Sequence, residues 1–317
     1  MPIPVLLSCT DPLDGRRPDP HFVPEVRAAR ELGALVGLID HDALLAGYPG
    51  DAVRLVPANA GPAWYRGWMI PSARYAALEA ALFARGTPLL TTGAQYRTAH
   101  ELPGWYRVFE GTTPRSGWVG YEPGYGPEGE PEQALPVAAI TTIAAELVAA
   151  GATAGVVKDY VKSAKHRWAT ACYVPDLADP DALERVVTAF VAEQAEFLAG
   201  GIVLREFEDF TGLDDAPAAQ ARVWWLDDRP VLLTAHPDNP RTVVEPDLTE
   251  VARRVAALPA RFVVTDVVRR RDGIWRVVEV GDGQVSDLPV GQSPAPLLAA
   301  LLSEQRADSQ AQSWPQP

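Results

Sequence analysis

The stretch FVVTDVVRRRDGIWRVVEVGDG, residues 262–283, holds two apolar runs joined by a polar turn, and one carboxylate interrupts each run. Period-two alternation around the RRRDG turn reads as an antiparallel hairpin. Counting back from Asp272–Gly273 sets Asp266 opposite Glu279, with both side chains on one face. Two facing carboxylates repel, so the pair must be exposed, share a proton or hold a cation. Magnesium is the natural cation, because it takes oxygens from one or two carboxylates and completes its shell with water and phosphate. A solvated sheet face that merely carries two charges is the plain alternative.

Upstream, Lys158 lies inside an apolar strand pattern, GVVKDYV, with Lys162 and Lys165 close behind. A single such lysine is usually an edge residue reaching solvent. Three together in an acidic chain suggest a local anion site, since ammonium groups neutralise phosphate oxygens as point charges. VLREFEDF (203–210) reads as a strand running out into a loop past Glu206 and Glu208, and Arg222 sits on the next strand, QARVWWL. Neither is distinctive alone.

The 317-residue chain is 47% hydrophobic, enough for one to three closely packed domains. Its 28 Lys and Arg against 41 Asp and Glu leave a net charge of -13, so the average surface repels nucleic acid and anionic membranes. A small molecule or a peptide is the expected partner; a homo-oligomer is left open. Cys9 and Cys172 have no disulfide or zinc spacing, and no apolar run has the length of a signal peptide or membrane span. A soluble cytoplasmic protein is expected, with a polar disordered tail over 306–317.

Runs 3–8 and 34–39 read as strands around a helix over 22–32; 53–57 and 87–92 read as further strands flanking a helix from Pro71 to Arg85. This alternation predicts a small parallel α/β sheet over 1–95. Residues 96–156 read as linker and central segment, including an Ala-rich helix over 139–150. Gly124, Gly126 and Gly129 fall in GxGxxG register there, but no strand feeds them and prolines follow, so a dinucleotide site is rejected. Beyond come strands at GVVKDYVKS and ATACYV, a helix over 181–198, the strand GIVLREFEDF, a hairpin turning at Asp227–Asp228–Arg229 and a helix over 248–258.

Taken in order, these residues resemble the ATP-grasp superfamily of carboxylate–amine ligases over roughly 90–290, most closely a bacterial and phage-associated clade with paired lysines and a later arginine. The resemblance implies an ATP-grasp fold: an N-terminal Rossmann-like α/β domain, a small β-β-α-β lid over 157–205, and a mixed or antiparallel catalytic subdomain over 206–305. It also implies that Lys158, Lys162 and Arg222 contact ATP phosphates. Arg205, Glu206, Phe207 and Glu208 would present backbone groups to adenine, and Gln220 stands where many members hold ribose with Glu. Asp266, Glu279 and Asp282 would hold Mg2+, Asp282 standing in because the usual Glu-x-Asn reads Glu279-Val280-Gly281. The implied reaction is ATP-dependent ligation of an amino acid or peptide through an acyl phosphate. An ATP-binding scaffold without ligase activity is the alternative, and a protein-binding face built on WYRGWM (64–69) and VWWL (223–226) is a third reading. Arg97, Arg107 and Arg115 are open between substrate contacts and structural roles, and His166 is at most an accessory to the lysines.

Overall fold

The computed structural model describes residues 3–124, 132–210, 218–237 and 244–303. Gly126, Gly129 and the tail from Arg306 therefore lie outside the described residues. Those that are described form three four-stranded sheets.

The first contains β1 (Val5–Asp11), β2 (Asp14–Pro18), β3 (Val36–Ile39) and β4 (Ala63–Tyr65), with β3 and β4 both parallel to β1. Helices α1 (Val23–Glu31), α2 (His41–Leu45), α3 (Pro49–Ala52), α4 (Ser72–Ala84) and α5 (Gly93–His100) surround it. Proline in the first turn of α1 loses no hydrogen bond, and its buried face is Val26, Ala28 and Ala29. Among the described residues, two expected strands are absent. At 53–57 the buried Val53 and Val56, three residues apart, fill one side of a turn after α3 instead of alternating. At 87–92 only an isolated bridge, Ala63 to Leu89, forms. The strand that does pair with β1 comes from the tryptophan-rich segment.

The second sheet runs β5 (Ser116–Gly120), β8 (Gly201–Glu206), β6 (Gly155–Lys158), β7 (Tyr173–Val174), every neighbour antiparallel. With α8 (Pro180–Gln194) between β7 and β8, it contains the expected β-β-α-β unit. Asp179 caps α8 by accepting from the N–H groups of Asp181 and Ala182. Most of ATACYV is a π-helical turn, Trp168–Cys172, leaving two residues of strand. The expected linker is more structured than its composition suggests, holding the rest of α5, α6 (Leu102–Phe109), β5 and α7 (Val137–Ala149).

The third sheet runs β10 (Arg229–Ala235), β9 (Gln220–Leu226), β11 (Phe262–Arg269), β12 (Trp275–Asp282), again antiparallel; α9 (Thr249–Ala256) lies between β10 and β11 in sequence and α10 (Ala295–Ser303) follows β12. Asp227 and Asp228 both have positive φ, +44° and +66°, the mirror-image turn that suits a two-residue hairpin, and Arg229 already belongs to the strand. Trp224, Leu226, Phe262 and Val264 pack against Leu6, Trp64 and α10. Val223, Trp225, Val263, Val267 and Val277 pack on the other side against Ala99, Trp105, Phe109 and Val255. Trp64, Trp224 and Trp225 are thus core residues, each withdrawing roughly 150–250 Å2 from water, so VWWL presents no binding face. The second sheet has its own core, including Val157, Phe190 and Leu204.

Candidate active site

Asp266 lies opposite Glu279 on β12 and opposite Arg222 on β9. The three form one row across three strands, cation, carboxylate, carboxylate, on the face that also carries Val264. Just beyond this row the pairing of β11 with β12 slips by one, Val267 facing Val277, so Val278 has no partner across the ladder. This bulge is braced from the second sheet. Arg205 Nη1 donates to the Val278 carbonyl at 2.7 Å, and Thr113 Oγ1, itself bonded to Arg205 Nη2, donates to the Val277 carbonyl.

The row opens into a cavity of about 280 Å3 whose walls include Met69, Lys165, Arg222, His236, Asp266 and Glu279. Asp266, 2% exposed, is held by a two-pronged contact: Arg222 Nε and Nη2 reach its two oxygens at 2.8 Å each. His236 Nε2 lies 3.2 Å from the second oxygen. Burial opposes the charge on Asp266, but the bonds and charges of Arg222 and His236 hold it well below the usual carboxylate range. Burial likewise opposes the charge on Arg222, and its bonds to Asp266 outweigh this. Glu279 makes no hydrogen bond or ion pair with any described residue.

The lysines separate where β6 ends. Asp159, buried, accepts the backbone N–H groups of Val161 at 2.7 Å and Lys162 at 2.6 Å, turning the chain after Lys158. Lys158 stays buried, its Nζ 3.4 Å from the Val161 carbonyl. Burial lowers its proton affinity, and the charge of Glu279 offsets part of this. Lys162 lies over the Phe197 ring at 5.5 Å, and it is Lys165 that reaches the cavity wall. His166 is taken up by Glu193 on α8 at 2.9 Å.

Several expected nucleotide contacts are already engaged within the protein. Glu206 is paired through both oxygens with Arg115, and Glu208 with Arg276. Arg205 spans the two sheets as described. Of the backbone donors, Glu206 N–H goes to the Arg115 carbonyl and Phe207 N–H to that of Ala154. Phe207 instead contributes a ring to an aromatic cluster with Trp168 and Tyr173. Gln220 begins β9 opposite Val268, half-buried. Of the three arginines left open, Arg115 is thus structural, and Arg97 pairs with Glu101.

Asp282 departs from the expected metal set. Strand alternation sends its side chain to the face opposite Glu279, where it is wholly buried. One oxygen accepts from the N–H and the side-chain amide of Gln284 at 2.9 and 3.1 Å, and the other has no partner. Burial pushes this carboxyl up to about 7. Gln284 in turn accepts from the Tyr65 N–H and from the Tyr75 hydroxyl, pinning the turn after β12 to the N-terminal sheet. Among the described residues no three His, Cys, Asp or Glu side chains converge on a common metal position. Asp266 and Glu279 alone suit magnesium, which needs only one or two carboxylates beside phosphate and water.

Sequence reasoning missed His236, Lys165 as a cavity residue, Met69 and His100. His100 is buried against Tyr96, and burial, with the charge of Lys158, brings it down to about 4. Nothing in the spacing of these residues marks them, because each arrives from a different element.

A lid of β-β-α-β form beside an antiparallel sheet whose last hairpin offers paired carboxylates defines an ATP-grasp protein. Residues 149–301 match a family model described as an ATP-grasp domain, family 3 of its clade, and the protein belongs to the ATP-grasp superfamily. Similar solved structures include the RimK domain protein ATP-grasp of Sphaerobacter thermophilus (15% identity, 94% of this chain and 99% of that one covered, TM-score 0.55). D-cycloserine synthetase DcsG is similar at 15% identity (95% and 99% covered, TM-score 0.60), as is ATP-grasp ligase PsnB complexed with minimal precursor, Mg and ADP (14%, 95% and 98%, 0.53). At such identities the likeness is one of fold. No curated protein matches the chain. Among the described residues no helix is long and apolar enough to cross a membrane.

Proposed function

We propose that the protein is an ATP-dependent ligase joining a carboxylate to an amine, an amino acid or a peptide, through an acyl phosphate. The observation that carries this is the Arg222–Asp266–Glu279 row facing a cavity that Lys165 also lines. Two carboxylates beside two cations suit a metal-bound triphosphate better than they suit a neutral ligand. Asp266 and Glu279 would hold magnesium, which neutralises phosphate charge when bound.

The chain's own groups do the rest. Arg222 and Lys165 face the transferring phosphoryl group, and Lys158, beside Glu279, adds positive field from within the protein. The substrate carboxylate oxygen attacks the γ-phosphorus and ADP leaves; the amine nitrogen then attacks the acyl carbon, phosphate leaves, and the nitrogen sheds its proton. The second sheet, with its separate core, shields the acyl phosphate from water. No protein nucleophile is required. A peptide acceptor draws support from the precursor bound in PsnB.

Gly281 and the sealed carboxyl of Asp282 favour a second reading, an ATP-binding protein without ligase chemistry. ADP release measured with magnesium across a panel of amino acids and short peptides separates the two. Substrate-stimulated ADP is expected; tight magnesium–ATP binding with no such stimulation refutes the ligase.

A further inference from the structure

We propose that Arg222 is the resident counter-cation of the metal site, occupying Asp266 in place of the divalent ion and leaving it for nucleotide phosphate, so that metal and nucleotide are taken up together. The inference rests on the reading of Asp266 and Glu279 as metal-holding carboxylates.

The row contains two carboxylates and one adjacent guanidinium, and the guanidinium is committed wholly to one of them. Arg222 covers both oxygens of Asp266, and His236 takes a further position on one. A carboxylate offers about four lone-pair sites, so three are spent, while Glu279 across the hairpin has no partner among the described residues. A divalent ion bridging the pair needs a free lone pair on Asp266 and meets the positive charge of Arg222 directly beside it. It can settle only if the guanidinium swings away.

Moving Arg222 without giving it another anion strands a buried charge. Its third nitrogen, Nη1, meets only the Asp287 carbonyl, at 3.0 Å. A phosphate in the same cavity fits the guanidinium fork as a carboxylate does. Metal on Asp266 and phosphate on Arg222 therefore relieve each other's cost, and by linkage each raises the affinity for the other. Metal alone is expected to bind the nucleotide-free protein weakly.

The test is Mn2+ titration of the full chain, followed by the electron paramagnetic resonance signal of the free ion. Without nucleotide, Arg222→Gln should bind Mn2+ at least tenfold tighter than the wild type, and adding Glu279→Gln should abolish the gain. A merely structural arginine would not raise metal affinity when removed. Arg222→Lys, which keeps the charge but not the fork, should gain by a smaller factor, and it serves if Arg222→Gln does not fold. Wild-type affinity in whichever of these variants folds overturns the exchange. The underlying reading is scored separately with Mn2+ and AMPPNP on the wild type. Binding that Glu279→Gln weakens, alongside an unchanged metal-only affinity in the arginine variants, overturns the exchange alone. Binding indifferent to Glu279→Gln overturns the metal site and the exchange with it.

Discussion

Asp282 and His100 are expected to cancel each other in the pH dependence of stability, and removing either should expose the other. Asp282 is wholly buried and rises from its ordinary 3.8 to about 7. Between those values the folded chain binds a proton that the unfolded chain has released, so this group makes stability fall as pH rises. His100, brought down from 6.5 to about 4, does the reverse: the unfolded chain holds the extra proton, and stability rises with pH over its window. Each slope is about 1.4 kcal/mol per pH unit. From pH 5 to 6.5 the two act together and offset. In Asp282→Asn, where nothing titrates at that position, stability should rise by about 2 kcal/mol more than in the wild type over this interval. In His100→Gln it should fall by about 2 kcal/mol relative to the wild type. Urea unfolding at several pH values reads this, and only differences of slope matter, so any constant cost of burying an amide drops out. Identical slopes in Asp282→Asn and wild type would refute the claim that the carboxyl is held protonated by burial.

Glu279→Gln should cut substrate-stimulated ADP release by about a hundredfold or more while leaving thermal stability within about 0.5 kcal/mol, since Glu279 has no protein partner to lose among the described residues. Glu208→Gln should do the opposite: its two-pronged contact with Arg276 is nearly buried, and weakening it should cost on the order of 3 kcal/mol in unfolding experiments with nucleotide affinity of the folded fraction unchanged. Asp228→Gly should stabilise the chain by about 0.5–1 kcal/mol in the same assay, because φ is +66° there and the neighbouring charge of Asp227 is relieved.

The hairpin at 262–283 was legible because strand alternation and turn position are local rules, and they put Asp266 opposite Glu279 without any knowledge of the rest. The β-β-α-β order of the lid was legible for the same reason. Where a side chain spends its hydrogen bonds was not. Glu206, Glu208 and Arg205 look like free polar groups at a strand end, yet their partners Arg115, Arg276 and Val278 come from distant positions in the chain. Lys162 and Lys165 differ only in which side of the Asp159 turn they leave from, a distinction fixed by backbone geometry. The strand expected at 53–57 failed because a four-residue apolar run fits a turn and a strand equally well until its neighbours exist. Helix α10 escaped notice because its face is apolar almost all round, and its partner, the face of Trp64 and Leu6, is assembled from the opposite end of the chain.

The brace on Val278 makes the carboxylate row a property of two sheets. The bulge that separates Glu279 from the regular ladder is fastened by a guanidinium that belongs to β8, so its shape is set from outside its own hairpin. A displacement of the second sheet that follows its own ligand is transmitted to the backbone one residue away from Glu279. For this protein, lid position and carboxylate spacing are one mechanical variable, and the third sheet produced alone would hold the same residues without the same spacing.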